Sequence, residues 1–481
     1  MGHTAAEGAA LPSSISLRGT VIKPLPFAAC LFGLALPFGA QGGGAFAADG
    51  PVQAAPALQA HKPHVLMISI DGMKPEYVTK ADEHELKLPV LRRFLAQGAY
   101  ADGVQGVVPT VTYPSHTTMV TGVWPAEHGI VSNTVFDPML MRKGEWYWYF
   151  KEVKSETLYQ AADNAGLTTA AIGWPVTVGA PIDYLIAEFA QSEQIALPQT
   201  DTIRPADLKE KLAINFPDSA DGDDRKTAWT VGIIKAYNPN LVLAHLDDLD
   251  HQEHAHGPFS PEANQTLEKL DGQVGQIIDA ELAQNPDATI VIVSDHGFVR
   301  VDHHVALNAL LAQAGFIRLA PKGTNDNARV LSWDAQAWES GGSAAIVLRD
   351  PADADVRKRV GELLANVAAD PAYGINRVIG HDEVRKAGGF PDAAFVVDFK
   401  PGWATGGKLR GAVLTEAPGV GTHGYMPDHP ELRSSFFVMG KTSARGKDLG
   451  LVDMRQIAPT VAEMLGVKLP AAKLPPLDWK Q

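Results

Sequence analysis

Three apolar runs, each leading directly into aspartate, constrain this chain more than any other feature. HVLMISI (64–70) runs into Asp71-Gly72, NPNLVLAHLD carries a strand from residue 241, and ATIVIVSDHG closes its run at Ser294-Asp295-His296. Runs without regular polar alternation read as strands buried on both faces, as in a parallel sheet covered by helices. LTTAAIG (167–173) is a further strand-like run. LPVLRRFLAQGA (88–99), 223–237 and 262–285 read as helices between the strands. The alternation predicts an α/β fold: a doubly wound, mostly parallel sheet with helices on both faces. At 481 residues the chain is long enough for one large domain of this kind with a sizeable insertion.

The pattern changes between residues 309 and 408. Short strands, AAIVL (344–348) and FVVDF (395–399), surround a helix near 354–367, which predicts a smaller α+β insertion or cap. The catalytic core is then expected in two parts, 48–308 and 409–481, with MRQIAPTVAEMLG (454–466) as the last helix. Residues 1–47 read as a secretory signal peptide. Arg18 and Lys23 precede the apolar run 25–40, and Ala45-Phe46-Ala47 supplies a small-x-small cleavage pattern. That run is too short for a stable membrane span and is broken by Pro26 and Pro37. An exported protein, periplasmic or secreted, is the expectation. Cleavage would remove the only cysteine, leaving neither disulfides nor thiolate metal sites, and would move the formal charge from −14 to −15. So acidic a chain is a poor partner for bulk nucleic acid, although a bound cation can reverse the field locally for a small anion.

Polar residues gather where the strands end. Asp71, Asp250, His254, Asp295 and His296 all follow predicted strands, which in a parallel sheet places them at the carboxyl edge, where such folds bind ligands. His423 adds an imidazole from the Gly-rich segment GTHGY. In HLDDLDHQEHAHGP (245–258) two i,i+4 pairs are open, Asp247 with His251 and Asp250 with His254, and periodicity does not choose between them. His245, His251, His256, His303 and His304 receive no role. Three aspartates with two or three histidines suit zinc, and paired metals flanking a hydroxyl are a recurring device for phosphoryl transfer. The hydroxyl in question is in TVTYPSHTTMVTG (110–122). Pro114 places a helix start there, and Gly122 is the first glycine after it. Taken alone, Thr112 reads as a helix cap.

The ensemble resembles the nucleotide pyrophosphatase/phosphodiesterases of the alkaline phosphatase superfamily. The matching segments run in order: Asp71-Gly72; Thr112-Tyr113-Pro114-Ser115-His116; Thr121-Gly122; Pro125 to Ile130; Asn133; Asp250-x-x-x-His254-x-x-Gly257-Pro258; Ser294-Asp295-His296-Gly297; Thr422-His423-Gly424-Tyr425; and Ile457-Ala458-Pro459-Thr460. The resemblance implies an alkaline-phosphatase-like fold and two zinc ions. One would be held by Asp71, Thr112, Asp295 and His296, the other by Asp250, His254 and His423. It further implies that Thr112 is the nucleophile, forming a phosphothreonine, and that Asn133 donates to a phosphoryl oxygen. Ser115 departs from the family, which often has Asn there, and the extra domains of eukaryotic members are absent.

For the substrate, the resemblance implies a small phosphate diester of nucleotide type, with Tyr113, Trp174 and Tyr184 as aromatic candidates for contact. Phosphomonoesterase relatives tend to add a Lys-x-Arg clamp, and none occurs between Asn133 and Asp247. Phosphonoacetate hydrolysis, a lipid-headgroup diester and a non-catalytic zinc-stabilised binding protein are the alternatives. A sulfatase is disfavoured, because the single cysteine, Cys30, lies in the predicted signal peptide. Oligomeric state is not legible in the sequence.

Overall fold

The computed structural model describes residues 62–141, 145–189, 199–217, 219–321 and 328–481. The expected signal peptide therefore lies outside the described residues. Everything described belongs to one compact unit, Ala60–Gln481. No helix among the described residues is long and apolar enough to cross a membrane.

The elements that build the site are, in chain order, β1 (Val65–Ile70), α1 (Thr112–Thr121), β2 (Thr169–Ile172), β3 (Tyr184–Ile186), α2 (Gly222–Tyr237), β4 (Leu241–Leu246), α3 (Asp248–His256), α4 (Pro261–Gln284), β5 (Thr289–Val293) and β6 (Phe436–Met439). Among the described residues the main sheet has nine strands, with β6-β5-β1-β4-β2-β3 as a continuous run within it. β5, β1, β4, β2 and β3 are parallel, and β6 is antiparallel to β5. The mostly parallel sheet expected from the apolar runs is the one observed.

Both faces of β1 are buried because successive strand side chains point to opposite sides. Val65 and Met67 join a core with Met119 and Val120 of α1 and with Ile457, Val461 and Leu465 of the last helix. Leu66, Ile68 and Ile70 join a second core with Ile233 and Ile234 of α2 and with Leu267, Leu270, Val274, Ile277 and Ile278 of α4. The registers are flush. Val65 pairs with Leu241 and with Thr289, so β1, β4 and β5 end at one edge.

The helix predicted over 88–99 is shorter than its apolar pattern suggests. Only Arg93–Gln97 is α-helical, and Ala99–Tyr100 is a short strand of the main sheet, between β6 and Lys447–Asp448. Sheet pairing ends the helix early, because Ala99–Tyr100 is held between β6 and Lys447–Asp448 and the chain must be extended after Gly98. At the other end the N–H groups of Arg93, Phe94 and Leu95 bond three residues back as turns, and the Asp271 carboxylate of α4 satisfies the Val90 and Leu91 N–H groups at 3.0 and 2.8 Å.

The 309–408 stretch contains an antiparallel sheet in the order Ala335–Glu339, Ser343–Leu348, Ala393–Phe399, Ile375–Gly380, with the helix Ala354–Ala368. Strand Val299–Val305, ahead of this stretch, pairs with Gly402–Thr405 inside it and with Leu414–Thr422 beyond it. A small sheet thus joins this stretch to the chain on both sides of it.

Candidate active site

α1 is polar yet entirely buried. It tolerates burial because its side chains satisfy its own carbonyls: Thr117 Oγ1 donates to Tyr113 O at 2.8 Å and Thr121 Oγ1 to Thr117 O at 2.7 Å. Thr112 does not do this. It is the first helical residue rather than the cap; Val111 holds the N-cap position and no side chain caps the helix. The cap reading of Thr112 is therefore corrected. Its Oγ1 lies 3.4 Å from His296 Nε2 and 3.5 Å from Asn133 Nδ2. Asn133 has one orientation available, because its Oδ1 accepts from the Tyr113 N–H at 2.8 Å and so turns Nδ2 toward Thr112.

Strand pairing assembles the rest. Asp71 follows β1, and its N–H extends the ladder to Leu246 O at 2.8 Å. Asp295 follows the adjacent β5 and accepts from Gly72 N–H at 3.1 Å. Asp250 and His254 sit one turn apart on α3, which starts where β4 ends. Among the described residues three groups result, and two of them lie at the site: Asp71 with Asp295 and His296, and Asp250 with His254 and His423. In the first, His296 Nε2 is 3.3 Å from Asp71 Oδ1 and 3.2 Å from Asp295 Oδ2. In the second, Asp250 Oδ1 is 3.5 Å from His254 Nε2 and 3.8 Å from His423 Nε2. Donors on a tetrahedral ion with bonds of about 2.0 Å stand about 3.3 Å apart. The distances from His296 Nε2 to Asp71, Asp295 and Thr112 have that spacing; those from Asp250 Oδ1 in the second group are slightly longer.

The donor chemistry also fits a cation. Asp71 Oδ1, Asp250 Oδ1 and Asp295 Oδ2 are buried atoms without a hydrogen-bond partner. Burial, then repulsion from Asp295 and Asp250, drives the Asp71 pKa far above the ordinary carboxylate range. Burial and then Asp295 push Asp250 up to about 8. Such a cluster is costly until a cation neutralises it. Burial holds the His296 and His423 pKa values well below the usual imidazole range, and neighbouring imidazoles add to this, so both rings are neutral donors. The rings stack with centroids 3.7 Å apart. His254 and His423 turn Nδ1 to backbone carbonyls, Gly421 O and Thr110 O, each at 3.1 Å, and so aim Nε2 at Asp250.

Comparison with known proteins accords with this geometry. The sequence model of a family described as "Type I phosphodiesterase / nucleotide pyrophosphatase" matches residues 65–426. The chain belongs to this family. Among curated relatives are ectonucleotide pyrophosphatase/phosphodiesterase family member 1 of Homo sapiens, 26% identical over 245 residues (49% of this chain, 23% of that one). Another is the human bis(5'-adenosyl)-triphosphatase, 24% identical over 257 residues (51% of this chain, 50% of that one). The chain thus spans half or less of the length of these two relatives. An inactive variant of murine ectonucleotide pyrophosphatase/phosphodiesterase 5, solved in complex with AMP, shares the fold with a TM-score of 0.61 at 20% identity, covering 86% of this chain and 97% of that one.

Of the two pairs on α3, Asp250 with His254 is the one beside His423, while Asp247 and His251 group with Asp248 in a separate, more exposed cluster. Asp247 faces another way and pairs with Lys226 Nζ at 2.6 Å. The aromatic candidates fare less well. Tyr113 is 0% exposed. It lies among Trp146 and Trp148, with ring centroids 5.1 and 5.9 Å away, and its hydroxyl donates to Glu188 Oε1 at 3.0 Å. Trp174 is likewise fully buried, edge-on to His116. Neither offers a free face for stacking. Tyr184 begins β3 and stacks on Tyr237 at the end of α2, which places it at the amino edge of the sheet, opposite the site. The partly buried rings that pack against the cluster of Tyr113 and Trp148 are Trp146, Tyr147, Tyr149 and Phe189.

Sequence reasoning missed the residues behind the ligands. His245 is 1% exposed, and its Nε2 meets Asp71 Oδ2 at 3.0 Å. His116 bridges Thr112 O and Ser69 Oγ at 2.9 Å each. Burial and then the nearby His245 hold His116 neutral. A histidine inside the apolar run LVLAHL was a usable signal for His245; nothing in the sequence marked Glu188.

Gly424, beside His423, has φ +82°, and a Cβ there would lie 1.5 Å from Ser340 O. Gly424→Ala must displace the His423 loop. It is expected to lower stability by about 1–3 kcal/mol, read by denaturant unfolding, and to weaken metal binding at the second group.

Proposed function

We propose that this chain is an exported zinc-dependent phosphodiesterase/nucleotide pyrophosphatase acting through a phosphothreonine at Thr112. The observation that carries the reading is the position of Thr112 Oγ1: at the start of a buried helix, next to the first ligand group, and facing the Asn133 amide nitrogen. Asp71, Thr112, Asp295 and His296 would hold one zinc, and Asp250, His254 and His423 the other. When bound, the metals supply charge neutralisation and a lowered hydroxyl pKa.

Thr112 Oγ1 attacks phosphorus in line, and the P–O bond to the leaving alcohol breaks on the opposite side. Asn133 Nδ2 donates to a non-bridging oxygen, and the positive end of the α1 dipole favours the charge that gathers there. Water then cleaves the phosphothreonine, releasing a phosphomonoester and restoring Thr112. The missing Lys-x-Arg clamp supports a diester, which carries less charge than a monoester. A nucleotide substrate is supported by the relatives named above. Export is supported by the apolar run 25–40 and the Ala45-Phe46-Ala47 pattern.

The test is turnover by zinc-loaded protein on p-nitrophenyl thymidine 5'-monophosphate, bis-p-nitrophenyl phosphate and p-nitrophenyl phosphate. We expect kcat/KM on the nucleotide diester to exceed that on the monoester by about a hundredfold or more. Preference for the monoester would sink the diester reading.

A further inference from the structure

We propose that His245 is a positioning residue for the first metal site: it holds one oxygen of Asp71 so that the other is presented to the metal. This rests on reading Asp71, Thr112, Asp295 and His296 as a metal site.

Position comes first. Parallel pairing of β1 with β4 sets His245 opposite Ser69, two residues before Asp71. Strand side chains alternate, so a one-residue slip would carry the imidazole to the other face of the sheet. The flush register places its ring 4.4 Å from His116, beneath the site.

The contacts follow. Nε2 reaches Asp71 Oδ2 at 3.0 Å and Nδ1 reaches Gly173 O at 3.0 Å, with Glu188 Oε2 beyond it at 3.5 Å. Both ring nitrogens face oxygen acceptors, so both act as donors. The ring is thereby fixed at two points, by the chain at Gly173 and by the carboxylate it serves. Asp71 Oδ2 is occupied, while Asp71 Oδ1 has no hydrogen-bond partner and lies 3.3 Å from His296 Nε2. Without His245 the carboxylate could turn about its last torsion and offer either oxygen, or both, in several directions. Partners that orient a ligand in this way typically change metal affinity by about 10- to 100-fold when removed.

Side-chain geometry supplies a discriminating test. Glutamine places its amide nitrogen near the position of His Nε2, and asparagine near that of Nδ1. His245→Gln keeps a donor for Asp71, whereas His245→Asn and His245→Ala do not. Zinc affinity is measured by chelator competition in two backgrounds: His423→Ala, which reports the first group, and Asp71→Ala, which reports the second. In the first background, His245→Asn and His245→Ala are expected to weaken zinc by about 10- to 100-fold, and His245→Gln by about threefold or less. In the second background, His245→Ala is expected to leave affinity unchanged. Equal losses for Gln and Asn, no loss for Ala, or equal losses at both groups would overturn the positioning role. If His423→Ala protein with His245 intact binds no zinc, the metal-site reading itself fails, which is a separate result.

Discussion

Thr112→Ala is expected to lower diester turnover by about four orders of magnitude or more, because the attacking atom is gone. The fold should survive. Thr112 Oγ1 caps nothing, and it meets only the long contacts to His296 Nε2 and Asn133 Nδ2 at 3.4 and 3.5 Å among the described residues. The variant should therefore melt close to the wild type while losing the burst of leaving group in rapid-mixing experiments. Acid-quenched wild-type protein, caught during turnover, should carry phosphate on the peptide spanning residues 110–122; the variant should carry none. Substantial turnover by the variant would mean that water attacks phosphorus directly, and the covalent intermediate would have to be abandoned.

Metal removal is expected to have the second large effect, and to depend on pH. In the metal-free fold, burial followed by the proximity of Asp295 raises Asp250 from 3.8 to about 8. Between those values the folded protein retains a proton that the unfolded chain has released. The associated stability is complete below the unfolded value and is lost as pH rises through the folded one. Asp71 and Asp295, also raised mainly by burial, act in the same direction. His254, His296 and His423 act oppositely, since burial lowers them, but that contribution is finished above the ordinary imidazole value of 6.5. In the window from pH 7 to 9 the carboxylates remain, together with His245, whose pKa is raised against burial by its hydrogen bonds to Asp71 and Glu188 and which acts in the same direction as they do. Metal-free protein should lose up to about 1.4 kcal/mol per pH unit per carboxylate there, seen as a falling melting temperature. Asp250→Asn should flatten part of that slope. At one fixed zinc concentration the metal should stabilise more at pH 9 than at pH 7, because fewer protons must be displaced from the carboxylates; a hundredfold excess over the prevailing Kd is worth about 2.7 kcal/mol per site. A metal-free melting temperature that rises across the window would contradict an uncompensated carboxylate cluster.

Much of the site was legible because its ligands are tied to strand ends. An apolar run of five or six residues followed by aspartate specifies both a buried parallel strand and the edge at which the acid emerges. That is why Asp71 and Asp295 could be placed before any coordinates. The helix start at Thr112 was legible from Pro114, but its role was not. Local rules favoured a cap, and only the approach of His296 from a strand end far along the chain shows the hydroxyl turned outward. The aromatic candidates failed for a related reason. A tyrosine next to a nucleophile and a Trp-Pro segment carry no local sign of burial, and Tyr113 and Trp174 are enclosed by elements distant in sequence. Helix 88–99 was overestimated because its last residue, Ala99, and the following Tyr100 pair with strands far along the chain.

By itself, the sequence determined the sheet, the edge of the sheet that carries chemistry, and the residue types gathered there, because burial of whole strands and the turns after them are written in local runs of residues. The tertiary structure decided the rest: which of two Asp/His pairs on α3 faces His423, which oxygen of Asp71 is free, and that His245 holds the other. Those outcomes depend on strand order and register, in which β1 lies between β4 and β5, and pairings between residues more than a hundred positions apart leave no local trace.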